Sequence, residues 1–167
     1  MNWRQIIDKY YSDNAELKDI LLRHSSAVAR KALDIADRHP ELNLDLNFIE
    51  EAAMLHDIGV IKTDAPDIKC YGHEPYIRHG VLGAEMLRAE GMPRHARVCE
   101  RHTGAGLSLQ EIVSRNLPLP HTDLLPETLE EQVICYADKF FSKTRLDREK
   151  NPSSRQKRAL RNTAKKA

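Results

Sequence analysis

Apolar residues recur at intervals of three and four along most of this chain, which is the spacing that places them on one face of an α-helix. The first such segment covers residues 2–11, and a longer one covers residues 15–38. Asn14 can cap the second segment with its side chain, and Pro40 closes it. The pattern therefore predicts a short leading helix followed by a long one.

The third apolar segment ends on a histidine and an aspartate. The run Asp45-Leu46-Asn47 can cap this helix, which we expect to continue into His56 and Asp57. Gly59 follows two residues later and can end the helix in the left-handed conformation that glycine adopts easily. Helical spacing is lost over residues 60–76, so we predict an irregular loop there, of the kind that often covers an active site.

Helical spacing returns after this loop and continues almost to the C-terminus. We predict helices over residues 77–89, 93–102, 108–116 and 127–144. Valine and isoleucine do not alternate with polar residues, so no strands are needed to explain the pattern. The expected fold is a compact all-α bundle.

Length and composition narrow the class of protein. The chain has 167 residues, which suits one domain with a single core. Its three cysteines have neither the number of a disulfide framework nor the spacing of a zinc ribbon, which favours a reducing compartment. No apolar signal segment opens the chain, and no run of about 18 apolar residues could cross a membrane. We therefore expect a soluble cytoplasmic protein without a membrane partner.

A net charge of +1 hides two oppositely charged parts. Residues 145–167 contain nine Lys or Arg and two Asp or Glu, which leaves 17 basic and 23 acidic residues in the rest of the chain. Helical spacing also stops in this region. We predict a folded domain over residues 1–144 and a basic C-terminal tail over residues 145–167. Such a tail can contact nucleic acid, but it is more often simply solvated, and a nucleic-acid partner is not expected.

Six residues able to bind metal lie in or beside the predicted helices. They are His24, His56, Asp57, His79, His102 and Asp138. Imidazole and carboxylate ligands together suit iron, manganese, zinc and related divalent ions. Adjacent helical side chains point about 100° apart, so His56 and Asp57 can reach one ion only where several helices converge. A single histidine on an apolar face is usually a core residue, whereas six candidates together favour a metal centre.

The order and surroundings of these six residues resemble the HD-domain superfamily of metal-dependent phosphohydrolases. The run His56-Asp57-Ile58-Gly59 corresponds to the HDIG variant of its central motif, and the resemblance extends over residues 21–140. Within this superfamily, the loop at residues 118–120 and the helix start at Pro126-Glu127 resemble small stand-alone HD-domain proteins of uncharacterised function. The resemblance implies a compact HD-domain helical bundle.

The resemblance also implies how the six ligands are divided. His24, His56, Asp57 and Asp138 would hold one ion, and Asp57, His79 and His102 would hold a second. Asp57 would then bridge the two ions at the catalytic centre. The implied cofactors are two divalent ions, iron or manganese first, with zinc, nickel, cobalt or magnesium as alternatives. Two such ions can share a hydroxide nucleophile and neutralise charge on a phosphoryl group.

A phosphate substrate also requires positive groups outside the ligand set. Lys62 follows the HDIG run in the predicted loop, and we predict it to be a catalytic residue that binds phosphate. Arg23, Arg78 and Arg101 each precede a ligand histidine and would point away from it on a helix. We therefore predict surface salt bridges for these three arginines.

The implied reaction is hydrolysis of a phosphate ester or anhydride in a small phosphorylated substrate, with a nucleotide expected. Residues 79–138 are similar to the symmetrical diadenosine tetraphosphate hydrolases, although the loop at residues 118–120 departs from them. The GYP signature of the cyclic dinucleotide phosphodiesterases is absent. Two other functions stay open: a di-iron oxygenase with the same six ligands, and a non-catalytic nucleotide-binding module.

Overall fold

The computed structural model describes residues 2–145, and seven α-helices form the body of this part of the chain. They are α1 (Trp3–Tyr10), α2 (Ala15–Arg38), α3 (Leu46–Leu55), α4 (His79–Ala89), α5 (Pro93–Arg101), α6 (Leu109–Ser114) and α7 (Leu129–Asp138). The predicted all-α fold is confirmed. Apart from Arg145, the predicted basic tail lies outside the described residues. No helix within residues 2–145 is both long and apolar enough to cross a bilayer.

Side-chain caps explain where several helices begin. Asn14 accepts a hydrogen bond from the Leu17 amide at 3.0 Å, and Asp45 accepts one from the Phe48 amide at 3.0 Å. Each contact satisfies an amide that has no partner within its own helix. These caps fix the starts of α2 and α3 at the residues that the sequence predicts.

The long helix α2 lies at the centre of the core. It packs against α3 and α7, while α4 and α5 pack against each other and α5 also packs against α3. Ala32, Ile49 and Ile134 are completely buried in the cluster that joins α2, α3 and α7. A second cluster joins α1 and the first half of α2 to α4 and α5. Ligands carried by α2, α3, α4, α5 and α7 can therefore meet at one point.

The segment predicted as an irregular loop, residues 60–76, is more ordered than expected. Strands β1 (Asp64–Ala65) and β2 (Cys70–Tyr71) form an antiparallel pair, and 3₁₀ helices cover Ile58–Lys62, Pro66–Ile68 and Tyr76–Arg78. The prediction that no strands are needed was therefore wrong at this hairpin. Strands of two residues are too short to show alternation in a sequence.

Gly59 serves a different purpose from the one predicted. It does not take the left-handed conformation; the glycines with positive φ among residues 2–145 are Gly91, Gly104 and Gly106. A Cβ atom at Gly59 would lie 2.2 Å from the His79 carbonyl oxygen and 2.3 Å from the Gly83 amide nitrogen. Glycine is needed here because α4 approaches this backbone so closely.

The last helix is shorter than predicted. Sequence spacing indicated residues 127–144, whereas α7 ends at Asp138. The chain then turns, with the Phe141 amide donating to the Asp138 carbonyl at 3.1 Å. This early end allows the residues after Asp138 to fold back over the ligands.

Candidate metal centre

The six predicted ligands converge on Asp57, whose side chain is completely buried. His24 lies in the middle of α2, and Asp138 is the last residue of α7. The other three histidines each follow directly on a short helical segment: His56 after α3, His79 after Tyr76–Arg78 and His102 after α5. The six residues form two groups that could each hold an ion.

The first group surrounds the Oδ2 atom of Asp57. His24 Nε2 lies 3.1 Å from this oxygen and His56 Nε2 lies 3.0 Å from it. Asp138 completes the group, because its Oδ1 is 3.1 Å from His24 Nε2 and 3.5 Å from His56 Nε2. Two carboxylates and two imidazoles thus face one small volume.

The second group surrounds the other oxygen of the same carboxylate. His79 Nε2 lies 3.4 Å from Asp57 Oδ1, and His102 Nε2 lies 3.3 Å from it. The two Nε2 atoms are 3.1 Å apart. Asp57 therefore presents one oxygen to each group.

Backbone carbonyls orient three of the histidine rings. The Nδ1 atom of each ring lies against the carbonyl oxygen three residues earlier, at 2.6 Å for His56, 2.7 Å for His79 and 2.7 Å for His102. A carbonyl oxygen only accepts hydrogen bonds, so Nδ1 carries the donated proton. In the neutral ring Nε2 is then an unprotonated ligand atom facing Asp57.

Several of these atoms need a cation to be satisfied. Within residues 2–145, Asp57 Oδ1 and both ring nitrogens of His24 are buried without a hydrogen-bond partner. Two unprotonated nitrogens, on His79 and His102, also face each other at 3.1 Å, where their lone pairs repel. Unpartnered polar atoms are costly in a protein interior. The donor set and its unmet contacts fit divalent metal ions.

Electrostatics keep the carboxylates ionised. Burial alone would raise the pKa of Asp57, but His56 and Lys143 outweigh it and hold this pKa well below its usual range. Burial alone would lower the pKa of His56, but Asp57 and Asp138 raise it to about 9. Burial dominates at His79 and lowers its pKa to about 3. Asp57 is thus ready to bind a cation, while a metal would have to displace a proton from His56.

Two lysines that the sequence did not single out belong to this centre. Lys139 Nζ donates to the His102 carbonyl oxygen at 2.8 Å and to Asp138 Oδ2 at 3.0 Å. Lys143 Nζ lies 2.5 Å from Asp57 Oδ2. The sequence shows that both lysines follow the predicted ligand Asp138. Whether their side chains point toward the ligands depends on the early end of α7, which the sequence did not indicate.

Lys62, predicted to be catalytic, is exposed on the 3₁₀ helix Ile58–Lys62. Among residues 2–145, it is not one of those that line the pocket beside the ligands. The structure therefore brings Lys143 to the ligands, and not Lys62. The three arginines pair with carboxylates as predicted: Arg23 with Asp19, Arg78 with Glu74 and Arg101 with Glu127.

A pocket of about 440 Å³ opens beside the first group. Its polar lining includes His24, Asp138 and Lys143, with Asp67, Ser142 and Thr144, and Ile68 and Phe141 contribute apolar surface. Tyr76 also lines this pocket and stacks on His79, with ring centroids 4.7 Å apart. A small molecule can therefore reach the ligands through this opening.

Comparison with protein families gives one match over most of the chain. The family model described as HD domain matches residues 21–142. This range agrees closely with residues 21–140, over which the sequence resemblance was found. The resemblance is confirmed.

Three archaeal relatives are similar over most of this chain. A protein of Picrophilus torridus named tRNA (cytidine(56)-2'-O)-methyltransferase is 36% identical over 136 residues, which are 81% of this chain and 35% of that protein. A protein of the same name from Thermoplasma volcanium is 35% identical over 125 residues, or 74% of this chain and 32% of that protein. An uncharacterised protein of Methanocaldococcus jannaschii is 34% identical over 128 residues, or 75% and 68% of the two chains.

The chain thus spans about a third of the length of the two named methyltransferases. No solved structure matches it.

Proposed function

The chain belongs to the HD domain family, and from this premise we propose that it is a metal-dependent phosphohydrolase. Its substrate would be a phosphate ester or anhydride of a nucleotide, cleaved at a binuclear His/Asp centre. His24, His56, Asp57 and Asp138 would hold one ion, and Asp57, His79 and His102 the other.

One observation carries this proposal. The two oxygens of the buried Asp57 carboxylate face different ligand groups, Oδ2 at 3.0 Å from His56 and Oδ1 at 3.3 Å from His102. A carboxylate divided in this way suits a bridge between two ions. When bound, two divalent ions supply a hydroxide nucleophile and neutralise charge on the phosphoryl group.

The protein's own residues prepare this centre. Backbone carbonyls hold His56, His79 and His102 with Nε2 toward Asp57. Lys139 binds Asp138 Oδ2 and so leaves Oδ1 directed at His24. Such outer contacts fix the orientation and the protonation of metal ligands.

The pocket supports a nucleotide as the substrate. It is lined by His24, Asp138 and Lys143, beside which a phosphate would be held, and its walls also include Tyr76, Phe141 and Ile68. Aromatic and aliphatic walls with a few polar groups are typical of small-molecule sites. The two relatives named for tRNA also act on a substrate built from nucleotides. Methyl transfer is not proposed for this chain, because it spans only about a third of those proteins.

The decisive experiment is metal analysis of natively purified protein, followed by an anaerobic screen for phosphate release. The screen would include nucleoside mono-, di- and triphosphates, diadenosine tetraphosphate and RNA ends bearing phosphate, each with Fe²⁺ or Mn²⁺. We expect about two ions per chain and release from at least one substrate. Chelation and His56→Ala should abolish release, whereas His39→Ala, which changes an exposed histidine paired with Glu41, should not.

Two results would refute this proposal. One is phosphate release that survives both chelation and His56→Ala. The other is a metal-loaded protein that releases no phosphate from any substrate but consumes oxygen, which would favour the di-iron oxygenase.

A further inference from the structure

The ammonium group of Lys143 lies inside the metal centre. Its Nζ atom is 2.5 Å from Asp57 Oδ2, and its side chain is only 12% exposed. The same oxygen faces His24 Nε2 at 3.1 Å and His56 Nε2 at 3.0 Å. Lys143 therefore contacts the oxygen that the first group would offer to a metal ion.

Both carboxylates in this centre have positive partners without any metal. Asp57 and Asp138 contribute two negative charges, Lys143 and Lys139 contribute two positive charges close to them, and the protonated His56 adds a third. Lys139 is held by two hydrogen bonds, one of them to the His102 carbonyl oxygen. Lys143 instead faces Asp57 and, at 5.8 Å, the ring of Tyr76. Of the two lysines, Lys143 is thus the one that contacts the oxygen shared by the first ligand group.

Two divalent ions would add four positive charges to a centre whose two carboxylates already have positive partners. Like charges a few ångströms apart in a buried site repel strongly. Lys143 has a long, flexible side chain and lines the pocket beside His24 and Asp138. The pocket is therefore where its ammonium can go when an ion binds Asp57.

We propose that Lys143 takes the place of a cation at Asp57 in the metal-free protein, and that metal binding moves its ammonium into the pocket to bind the phosphate of the substrate. The second part rests on the proposed phosphohydrolase function, whereas the first part concerns only the chain and its metal. The displaced lysine would give the loaded pocket a further positive group for an anion. Lys143 would thus be a substrate-binding residue in addition to the metal ligands.

Chemical labelling of the wild-type protein tests the displacement directly. The chelated and the Mn²⁺-loaded protein would be treated briefly with acetic anhydride, and the acetylation of each lysine measured by mass spectrometry. We expect Mn²⁺ to raise acetylation of Lys143 several-fold, and inorganic phosphate to lower it again. Lys9 is the internal reference, because it pairs with Glu90 on the surface and should not respond to metal. Equal labelling of Lys143 with and without Mn²⁺ would overturn the inference.

Variants give a second, independent measurement by titration calorimetry. Lys143→Met should bind its first Mn²⁺ roughly tenfold more tightly than wild type, since the competing ammonium is gone. The Mn²⁺-loaded variant should bind inorganic phosphate roughly tenfold more weakly, since a charged hydrogen bond is lost. Lys143→Arg should stay near wild type in both, and Lys9→Met should change neither.

The sign of the metal effect separates this role from a structural one. A lysine that merely supported the fold would weaken Mn²⁺ binding when removed, and that result would overturn the inference. The inference would also be overturned if Lys143→Met bound phosphate as wild type does while Lys62→Met lost phosphate binding. Lys62, the lysine predicted from the sequence, would then be the residue that binds phosphate. If Lys143→Met does not fold, the labelling of the wild-type protein decides.

The proposed function and this inference can fail separately. Mn²⁺-dependent labelling of Lys143 without hydrolysis of any substrate would leave the displacement standing and remove the phosphohydrolase. Hydrolysis without any change in labelling would remove only the displacement.

Discussion

A single methyl group at Gly59 tests how strongly the second ligand group depends on close backbone packing. The added Cβ atom would lie 2.2 Å from the His79 carbonyl oxygen and 2.3 Å from the Gly83 amide nitrogen, whereas ordinary contacts begin near 3.4 Å. The two backbones must therefore separate by about 1.2 Å, the difference between 3.4 and 2.2 Å. Neither neighbouring atom belongs to a side chain that could rotate away.

The expected cost follows from this displacement. Overpacking costs about 1–3 kcal/mol, and contacts with backbone place Gly59→Ala at the upper end, near 3 kcal/mol. For a protein of this size, that loss lowers the melting temperature by roughly 6–12 °C. His79 begins α4 and moves with it, away from Asp57 Oδ1, which its Nε2 faces at 3.4 Å. We therefore expect Gly59→Ala to retain about one ion where the wild type retains two.

Thermal unfolding of the chelated proteins and metal analysis of the loaded proteins measure the two effects. Gly91→Ala is the matched control, because nothing lies within 4 Å of its added Cβ. Its positive φ of 74° leaves only a strain of about 1 kcal/mol, and both ions should remain. A Gly59→Ala variant that is as stable as wild type and binds as much metal would show that the close approach is unimportant.

Three further predictions concern the metal, the pH and the tail. The metal content of Asp57→Ala should fall well below one ion per chain, whereas His79→Ala or His102→Ala should each keep about one ion and lose activity. Metal analysis of the folded variants checks this, and wild-type protein that saturates at one ion contradicts it. The pKa of His56 is lowered by burial but raised further by Asp57 and Asp138, to about 9, above its ordinary 6.5. Its charged form thus stabilises the metal-free fold fully below pH 6.5, and the free energy of unfolding should fall as the pH rises from 6.5 toward 9. Urea titrations at pH 6.5 and 8.5 test this fall, which should be smaller in the loaded protein, where metal replaces the proton. Removal of residues 151–167 should leave melting temperature and phosphate release unchanged, and a large loss of either would show that the domain extends into the tail.

Features coded by neighbouring residues were predictable from the sequence. Asn14 and Asp45 begin their helices where their short polar side chains can reach an amide three residues later. The ligands followed for a similar reason, since each lies on or directly after a segment with clear helical spacing. The all-α fold therefore needed no knowledge of distant contacts, whereas the grouping of the six candidates around Asp57 was implied by the resemblance to the HD-domain superfamily.

Features that depend on distant contacts were not predictable in this way. Gly59 is a glycine because α4 lies against it, and nothing in the neighbouring sequence indicates that approach. Lys143 reaches Asp57 only because α7 ends at Asp138, while apolar spacing alone extended the helix to residue 144. Lys62 is closer to Asp57 in sequence, yet its side chain is exposed.

The hydrogen bonds at the ring Nδ1 atoms have a consequence for how this centre tolerates sequence change. A helix leaves its last carbonyl groups without partners, and here those of Ala53 and Cys99 are used by His56 and His102. The Tyr76 carbonyl, which also accepts the backbone amide of His79, is used in the same way by the His79 ring. Every amino acid has the same carbonyl group, so the side chains at these three positions can vary without disturbing the tautomer of the ligand. A helix end followed by a histidine is thus a self-contained ligand unit, which could be transferred to another helical scaffold without a separate residue to orient the ring.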